Sequence, residues 1–236
     1  MISAQGVVLR IGARELLSGA SFRVGPGDRV GLVGRNGAGK TTLTRVLAGE
    51  ALATEGRITR SGDVGYLPQD PRTGDLDVLA RDRVLSARGL ADIAQRMARA
   101  QAAMASADDA ARDRAMTRYP RLEAEFSSRG GWAAESEAAR ITSSLGLPQR
   151  VLAQPLATLS GGQRRRVELA RILFSGADSL LLDEPTNHLD ADSIGWLREF
   201  LRSYEGGFVV ISHDAGLLRA CVNKVFHLDA GRAELD

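Results

Sequence analysis

The sequence predicts an α/β domain: a mainly parallel sheet covered by helices, with an antiparallel β layer at its N-terminal side and a helical region carrying a hairpin arm. Three observations lead there. An apolar run, Arg29 to Val33, passes straight into a glycine-rich segment and then into helical spacing at Thr41 to Leu47. From about Asp75 to Leu145, Ala, Arg, Asp, Glu, Gln and Met dominate and strand formers thin out. After Leu159, strand-like and helix-like stretches alternate, the pattern of parallel strands joined by helices.

In chain order, Ile2 to Ile11 alternates loosely, and Ala20 to Val24 precedes the turn signal Gly25-Pro26-Gly27-Asp28; both are expected to be strands of the β layer. Within the helical region, stretches such as Ala91 to Ala105 are helix-compatible, and three breaks punctuate them. These are Ala107-Asp108-Asp109 between the two arms of the hairpin, Tyr119-Pro120 within the second arm, and Ser128-Arg129-Gly130-Gly131 before a helix that closes at Gly146-Leu147-Pro148. A helix over Gly162 to Phe174, a buried strand at Leu180 to Asp183 and a helix through Ser193 to Tyr204 follow, then strands at Phe208 to Ser212 and Lys224 to Leu228. One domain over 1–236 is expected, with 1–74 and 159–236 as its core and about 75–158 as the helical subdomain with its arm insertion.

A chain of 236 residues buries a substantial core without cross-links. Its one cysteine, Cys221, has no partner for an intramolecular disulfide and is read as a small apolar filler; with no secretory segment at the start, this points to a reducing, cytoplasmic location. Apolar runs such as Phe208 to Ile211 fall far short of the roughly 20 residues that cross a bilayer, so no membrane insertion is expected. The net charge of +2, with Lys40 and Lys224 as the two lysines, neither demands nor excludes an RNA partner. Residues 75 to 140 hold 11 basic and 11 acidic side chains, so the arm has no net basic footprint.

The glycine-rich segment is Gly34-Arg35-Asn36-Gly37-Ala38-Gly39-Lys40-Thr41, followed by Thr42. It fits G-x-x-x-x-G-K-[ST] in the strand-to-helix context that this phosphate-binding loop requires. Glycines let successive N–H groups converge on phosphate oxygens while the helix presents its positive end to the same anion. Lys40 is expected to reach the β- and γ-phosphates of ATP, and the Thr41 hydroxyl to ligate Mg²⁺. Ser179-Leu180-Leu181-Leu182-Asp183-Glu184 delivers two carboxylates to the end of an apolar strand. There Asp183 serves the metal shell and Glu184 orients and polarises the attacking water.

Leu159-Ser160-Gly161-Gly162-Gln163 closely resembles the signature motif of ATP-binding-cassette proteins, and Glu184-Pro185-Thr186-Asn187-His188-Leu189-Asp190 resembles their Walker B extension and D-loop. Gln69, in Tyr66-Leu67-Pro68-Gln69, and His213, in Ile211-Ser212-His213-Asp214, match the Q-loop and the switch histidine in order and spacing. The resemblance implies the ABC ATPase fold, with Gln69 sensing Mg²⁺ and the attacking water, His213 contacting the γ-phosphate and Asp190 communicating across a dimer. It also implies that Ser160, Gly161, Gly162 and Gln163 act on ATP bound to a second cassette, in the same longer chain or in a homodimer.

Asn187-His188, together with Gly130-Gly131-Trp132 and the helix after it, resembles the ABC-F branch, cytosolic two-cassette proteins that bind ribosomes and adjust translation or antibiotic sensitivity. Trp132 by itself is more often a packing residue than a recognition element. The chain is expected to be the first cassette of such a protein, hydrolysing ATP and touching ribosomal RNA or protein through its arm. The alternative is the ATPase subunit of a membrane transporter, for which a compact helical subdomain is expected in place of an extended hairpin. One departure is the lack of an aromatic residue in Leu9-Arg10-Ile11-Gly12, where the family stacks adenine; Ile11 or Arg10 would have to cover the base.

Overall fold

The computed structural model describes residues 1–12, 14–69, 75–105, 108–229 and 232–235. The strands are β1 (Ile2–Ile11), β2 (Arg14–Val24), β3 (Arg29–Gly34), β4 (Glu55–Arg60), β5 (Val64–Leu67), β6 (Ser179–Asp183), β7 (Gly207–Ile211), β8 (Lys224–Asp229) and β9 (Arg232–Leu235). Every residue of β6 and β7 is buried, so these segments are apolar runs rather than alternations. They lie within a sheet ordered β5-β6-β7-β3-β8-β9, parallel throughout except for β9, which runs antiparallel to β8. A second, antiparallel sheet is ordered β2-β1-β4.

The side-chain alternation of β6 and β7 splits the core in two. Leu180, Leu182, Phe208 and Val210 face one apolar cluster, shared with the helical region, whereas Leu181, Val209 and Ile211 face another, shared with the antiparallel sheet. The loose alternation of β1 has a cause: its register shifts repeatedly against β2, and Gly6 takes a left-handed φ of 57°.

The helices are α1 (Lys40–Ala48), α2 (Ala80–Leu85), α3 (Leu90–Ala103), α4 (Asp109–Ser128), α5 (Ala134–Ser144), α6 (Gln149–Leu152), α7 (Gly161–Phe174), α8 (Ala191–Ser203) and α9 (Ala215–Cys221). Buried Glu168 of α7 ties α2 in, pairing with Arg83 at 2.5 Å and Arg171 at 2.8 Å. Arg88 does the same between α2 and α3. It forks onto Glu137 at 2.7 and 2.8 Å, donates to the carbonyl of Phe174 at 2.7 Å and lies 3.9 Å above the Phe174 ring.

Helices α3 and α4 form the hairpin arm, packed through Ile93, Met97, Ala100 and Leu122 with Tyr119 and Phe126 against them. At 1.5 Å per residue they are about 21 and 30 Å long. Trp132 sets its edge on Phe126, 5.1 Å between ring centroids, yet remains 68% exposed.

Several expectations are corrected. The second strand begins at Arg14 rather than Ala20, and β4, β5, β9 and α9 had no predicted counterpart. Tyr119-Pro120 does not interrupt the arm: α4 runs through Pro120 at an exposed position, where a carbonyl that loses its helical donor costs less than it would in the core. Of the expected hairpin turn, Ala107 lies outside the described residues, and Asp108 caps α4 by accepting the Ala110 N–H at 2.9 Å. Cys221 is free and buried, and burial pushes its thiol up. Among the described residues no helix is long and apolar enough to cross a membrane.

Because the arm has its own apolar cluster, Leu122→Ala is expected to destabilise it by about 2–5 kcal/mol without unfolding the core. Amide exchange should accelerate across α3 and α4 while β6 and β7 stay protected; equal acceleration in the sheet would contradict an independently packed arm.

Candidate active site

Four strands of the parallel sheet, β3, β5, β6 and β7, end at the same edge, and the loops that follow them enclose a cleft of about 650 Å³. The glycine-rich loop leaves β3 at Gly34, where a Cβ would sit 2.4 Å from the Leu228 carbonyl oxygen, so no other residue fits. Gly39 has a left-handed φ of 102° and caps α1 without a side chain, and a Cβ there would meet Leu16 at 2.9 Å. With no capping side chain and no acidic residue in its first turn, the N-terminus of α1 keeps its amides available to an anion. The Lys40 ammonium donates to the carbonyls of Gly34 at 2.7 Å and Arg35 at 3.2 Å.

Across the cleft, the Thr41 hydroxyl donates to the Asp183 carboxylate at 2.7 Å. Asp183 ends β6 in a buried position, and desolvation raises its pKa; the Thr41 hydrogen bond and the nearby Arg165 and Lys40 charges act in the opposite sense. Glu184 then turns the chain with φ of 50°, rare for a residue with a side chain. Its N–H donates to the Ile211 carbonyl at 2.8 Å, and its carboxylate accepts the His213 N–H at 3.2 Å with the imidazole Nε2 at 3.4 Å. The carboxylate is nearly buried while His213 is largely exposed, so the pair spans the cleft wall from interior to solvent.

The sequence-predicted residues Asn36, Gly37, Gly39, Lys40, Thr41, Thr42, Gln69, Asp183, Glu184 and His213 therefore share one cleft. Gly34, Arg35 and Ala38 belong to the same loop without lining it, and the Ala38 N–H closes its turn onto the Arg35 carbonyl. Ser160, Gly161, Gly162 and Gln163 lie outside the cleft, at the start of α7. There the Ser160 hydroxyl accepts the Gln163 N–H at 3.2 Å and the Gln163 side chain accepts the Ser160 N–H at 2.9 Å, a reciprocal cap. Gly162 packs beside His188, itself at φ of 66°. Asp190 caps α8 through the Ser193 N–H at 2.8 Å, which holds its carboxyl below the usual range.

Of the two residues offered for the base, Ile11 lines the cleft, 59% exposed, whereas Arg10 is held away by Glu15 at 3.0 Å. Two functional neighbours escaped the sequence reading. Leu16 forms the wall beside Ile11, in a stretch not expected to be strand. Arg165 is buried beneath the cleft, in the middle of the run Arg164-Arg165-Arg166. Its signal was helical phase, since Arg165 shares the face of Leu169 and Ile172 at i+4 and i+7.

The ABC transporter family matches residues 17–187, and the chain belongs to that family. ATP-binding cassettes of this family hydrolyse ATP. Among curated relatives, the tylosin resistance ATP-binding protein TlrC of Streptomyces fradiae is 38% identical over 97% of this chain and 42% of its own length. The energy-dependent translational throttle protein EttA of Escherichia coli K12 is 36% identical over 92% of this chain and 39% of its own. These relatives support the ABC-F resemblance carried by Asn187-His188, and the chain spans about two fifths of their length.

Solved structures agree on the fold alone. An ATP-binding subunit of an ABC transporter superposes with a TM-score of 0.73 at 18% identity, over 100% of this chain and 89% of that one. The ATP-binding cassette MJ0796, dimeric and bound to ADP and Pi, superposes with a TM-score of 0.68 at 19% identity, over 100% of this chain and 98% of that one.

Because the folded chain holds a proton on Asp183 more tightly than the unfolded chain does, the ionised carboxylate weakens the fold as pH rises through its titration range. Asp183→Asn keeps an acceptor for Thr41 and removes that charge. In nucleotide-free chain at pH 7.5 it is expected to raise Tm. The gain should shrink as pH falls through the raised titration range of Asp183 and be gone below about pH 4, the ordinary carboxylate value; an unchanged or lower Tm at pH 7.5 would contradict it.

Proposed function

We propose that this chain is the first ATP-hydrolysing cassette of a cytoplasmic ABC-F-type protein acting on ribosomes, as a translation or antibiotic-resistance factor. In this reading residues 1–74 and 159–236 are the ATPase core and about 75–158 the helical subdomain with its arm. The glycine-rich loop and the amides of α1 hold the ATP phosphates, with Lys40 turning from the carbonyls of Gly34 and Arg35 to the β- and γ-phosphates. Thr41, Gln69 and Asp183 would hold Mg²⁺, which neutralises phosphate charge when bound. Thr41 already touches Asp183 and Gln69 lines the same cleft, so a hydroxyl, an amide and a carboxylate there offer the hard oxygen ligands that Mg²⁺ takes.

Glu184, held by His213, orients the attacking water and draws its proton. His213 also meets the γ-phosphate. Ser160 to Gln163 supply hydroxyl and amide donors at the start of another helix to ATP on the second cassette, so two cassettes complete each site.

One observation carries the ribosome reading over the transporter reading: the arm is an extended hairpin that sorts its charges. Arg96 of α3 reaches Glu125 of α4 at 3.9 Å, so these two residues define one side of the hairpin. Arg99 lies one turn from Arg96, and Arg121, Arg118 and Arg114 continue from Glu125 at helical spacing. Arg99, Arg114, Arg118 and Arg121 are exposed, and among the described residues none is paired with a carboxylate. Asp113 and Glu123 fall on other sides of α4. A net count of zero thus conceals an arginine face suited to an RNA backbone. Support also comes from the name of EttA, a translational throttle protein, and of TlrC, a resistance protein.

The test is co-sedimentation of the natural full-length protein carrying Glu184→Gln with ribosomes, in ATP and in ADP. Pelleting in ATP and not in ADP is expected; no pelleting by protein that still binds ATP would sink the reading. Arg114→Glu, Arg118→Glu and Arg121→Glu combined should weaken pelleting and flatten its salt dependence, by about one unit of slope for each phosphate that is no longer neutralised. Separately, Lys40→Ala should abolish ATP binding, and unchanged affinity would remove the phosphate role.

A further inference from the structure

Arg165 lies on α7, five residues beyond Ser160, and is 6% exposed. Its guanidinium reaches two segments that are far apart in sequence. One side donates to the carbonyls of Pro68, at 2.9 Å, and Gln69; the other donates to the carbonyls of Asp183, at 2.7 Å, and Glu184, at 3.0 Å. These are the ends of β5 and β6, where they open into the cleft. Glu184 is thereby fixed from both flanks, its N–H on Ile211 and its carbonyl on Arg165, which holds the left-handed φ that aims its side chain at His213. The neighbouring Arg166 turns instead to the carbonyls of Leu145 and Gly146, at 3.2 and 3.0 Å.

We propose that Arg165 is a positioning residue for hydrolysis: from the helix that begins at Ser160, it sets the backbones of Gln69 and Glu184 together, so that movement of α7 reaches both. The inference rests on the ATPase reading of the cleft and adds a residue that does not itself line that cleft. A planar fork with five donors spans carbonyls on two strands, whereas an ammonium on a flexible stem satisfies one segment at a time. Arg165 therefore also links the part of the cassette offered to its partner, Ser160 to Gln163, with the part that works on its own nucleotide.

Two measurements on the full chain, with the second cassette present, test this. The first is ATP turnover per bound nucleotide in Arg165→Met and Arg165→Lys. Both are expected to lose at least about tenfold in kcat while the Kd for ATP stays within about twofold, because Lys40, Thr41 and the amides of α1 are untouched. A residue that served only folding would lower Tm and the folded fraction without lowering turnover per occupied site, and unchanged turnover would overturn the proposal.

The second is amide exchange in the nucleotide-free chain. Segments 66–69 and 183–184 should loosen together in either variant, and His213, whose N–H is held by Glu184, should follow. Unchanged exchange at both segments would overturn the proposal even where turnover falls. Should Arg165→Met fail to fold, the milder Arg165→Lys decides both measurements. Should the unsubstituted protein bind no ATP, the ATPase reading fails, and exchange alone still decides whether Arg165 holds the two segments.

Discussion

Parallel pairing of β6 between β5 and β7 is the constraint on which the rest of the molecule depends. Strands that run the same way end at the same edge, so residues as distant as Lys40, Gln69, Asp183 and His213 meet without any loop having to travel far. The same pairing requires crossovers, and these supply helix N-termini at that edge: α1 begins at the glycine-rich loop and α9 just after His213. Burying β6 on both faces has a second effect. Asp183 and Glu184 emerge from an interior with little water, which strengthens the charge interactions around them and raises the cost of ionising Asp183.

Much of this was legible in the sequence because chemistry and local structure coincide there. The glycines of the loop fall where a side chain would collide, and the run Leu180 to Leu182 is apolar because both of its faces are covered. What escaped the reading has physical reasons. β4 and β5 are short or exposed and carry little alternation, and β2 takes a left-handed φ at Gly19 and buries Leu16 and Leu17 side by side, so its first half lacks a strand's alternation. The proline in α4 counted as a breaker because an exposed helix position and a turn position look alike along a chain.

Charge was the harder property to read. Arg164, Arg165 and Arg166 are identical in composition terms, yet helical phase drives the middle one inward, where carbonyls rather than carboxylates receive it. The arm shows the reverse case, in which a balanced sum hides a segregated surface. In both, the informative quantity is direction about a helix axis, and a count discards direction.

The resting place of Lys40 carries a consequence for what the cleft accepts. Its ammonium is already satisfied by the carbonyls of Gly34 and Arg35, so a ligand gains only the difference between its own contacts and those it displaces. A lone inorganic anion at the mouth of α1 offers few contacts beyond the exchange and leaves the Ile11 wall uncovered. On the proposed reading a nucleoside triphosphate would spread its contacts over loop amides, lysine, metal ligands and that apolar wall, so the prior engagement of Lys40 would set a threshold that a small anion meets less easily.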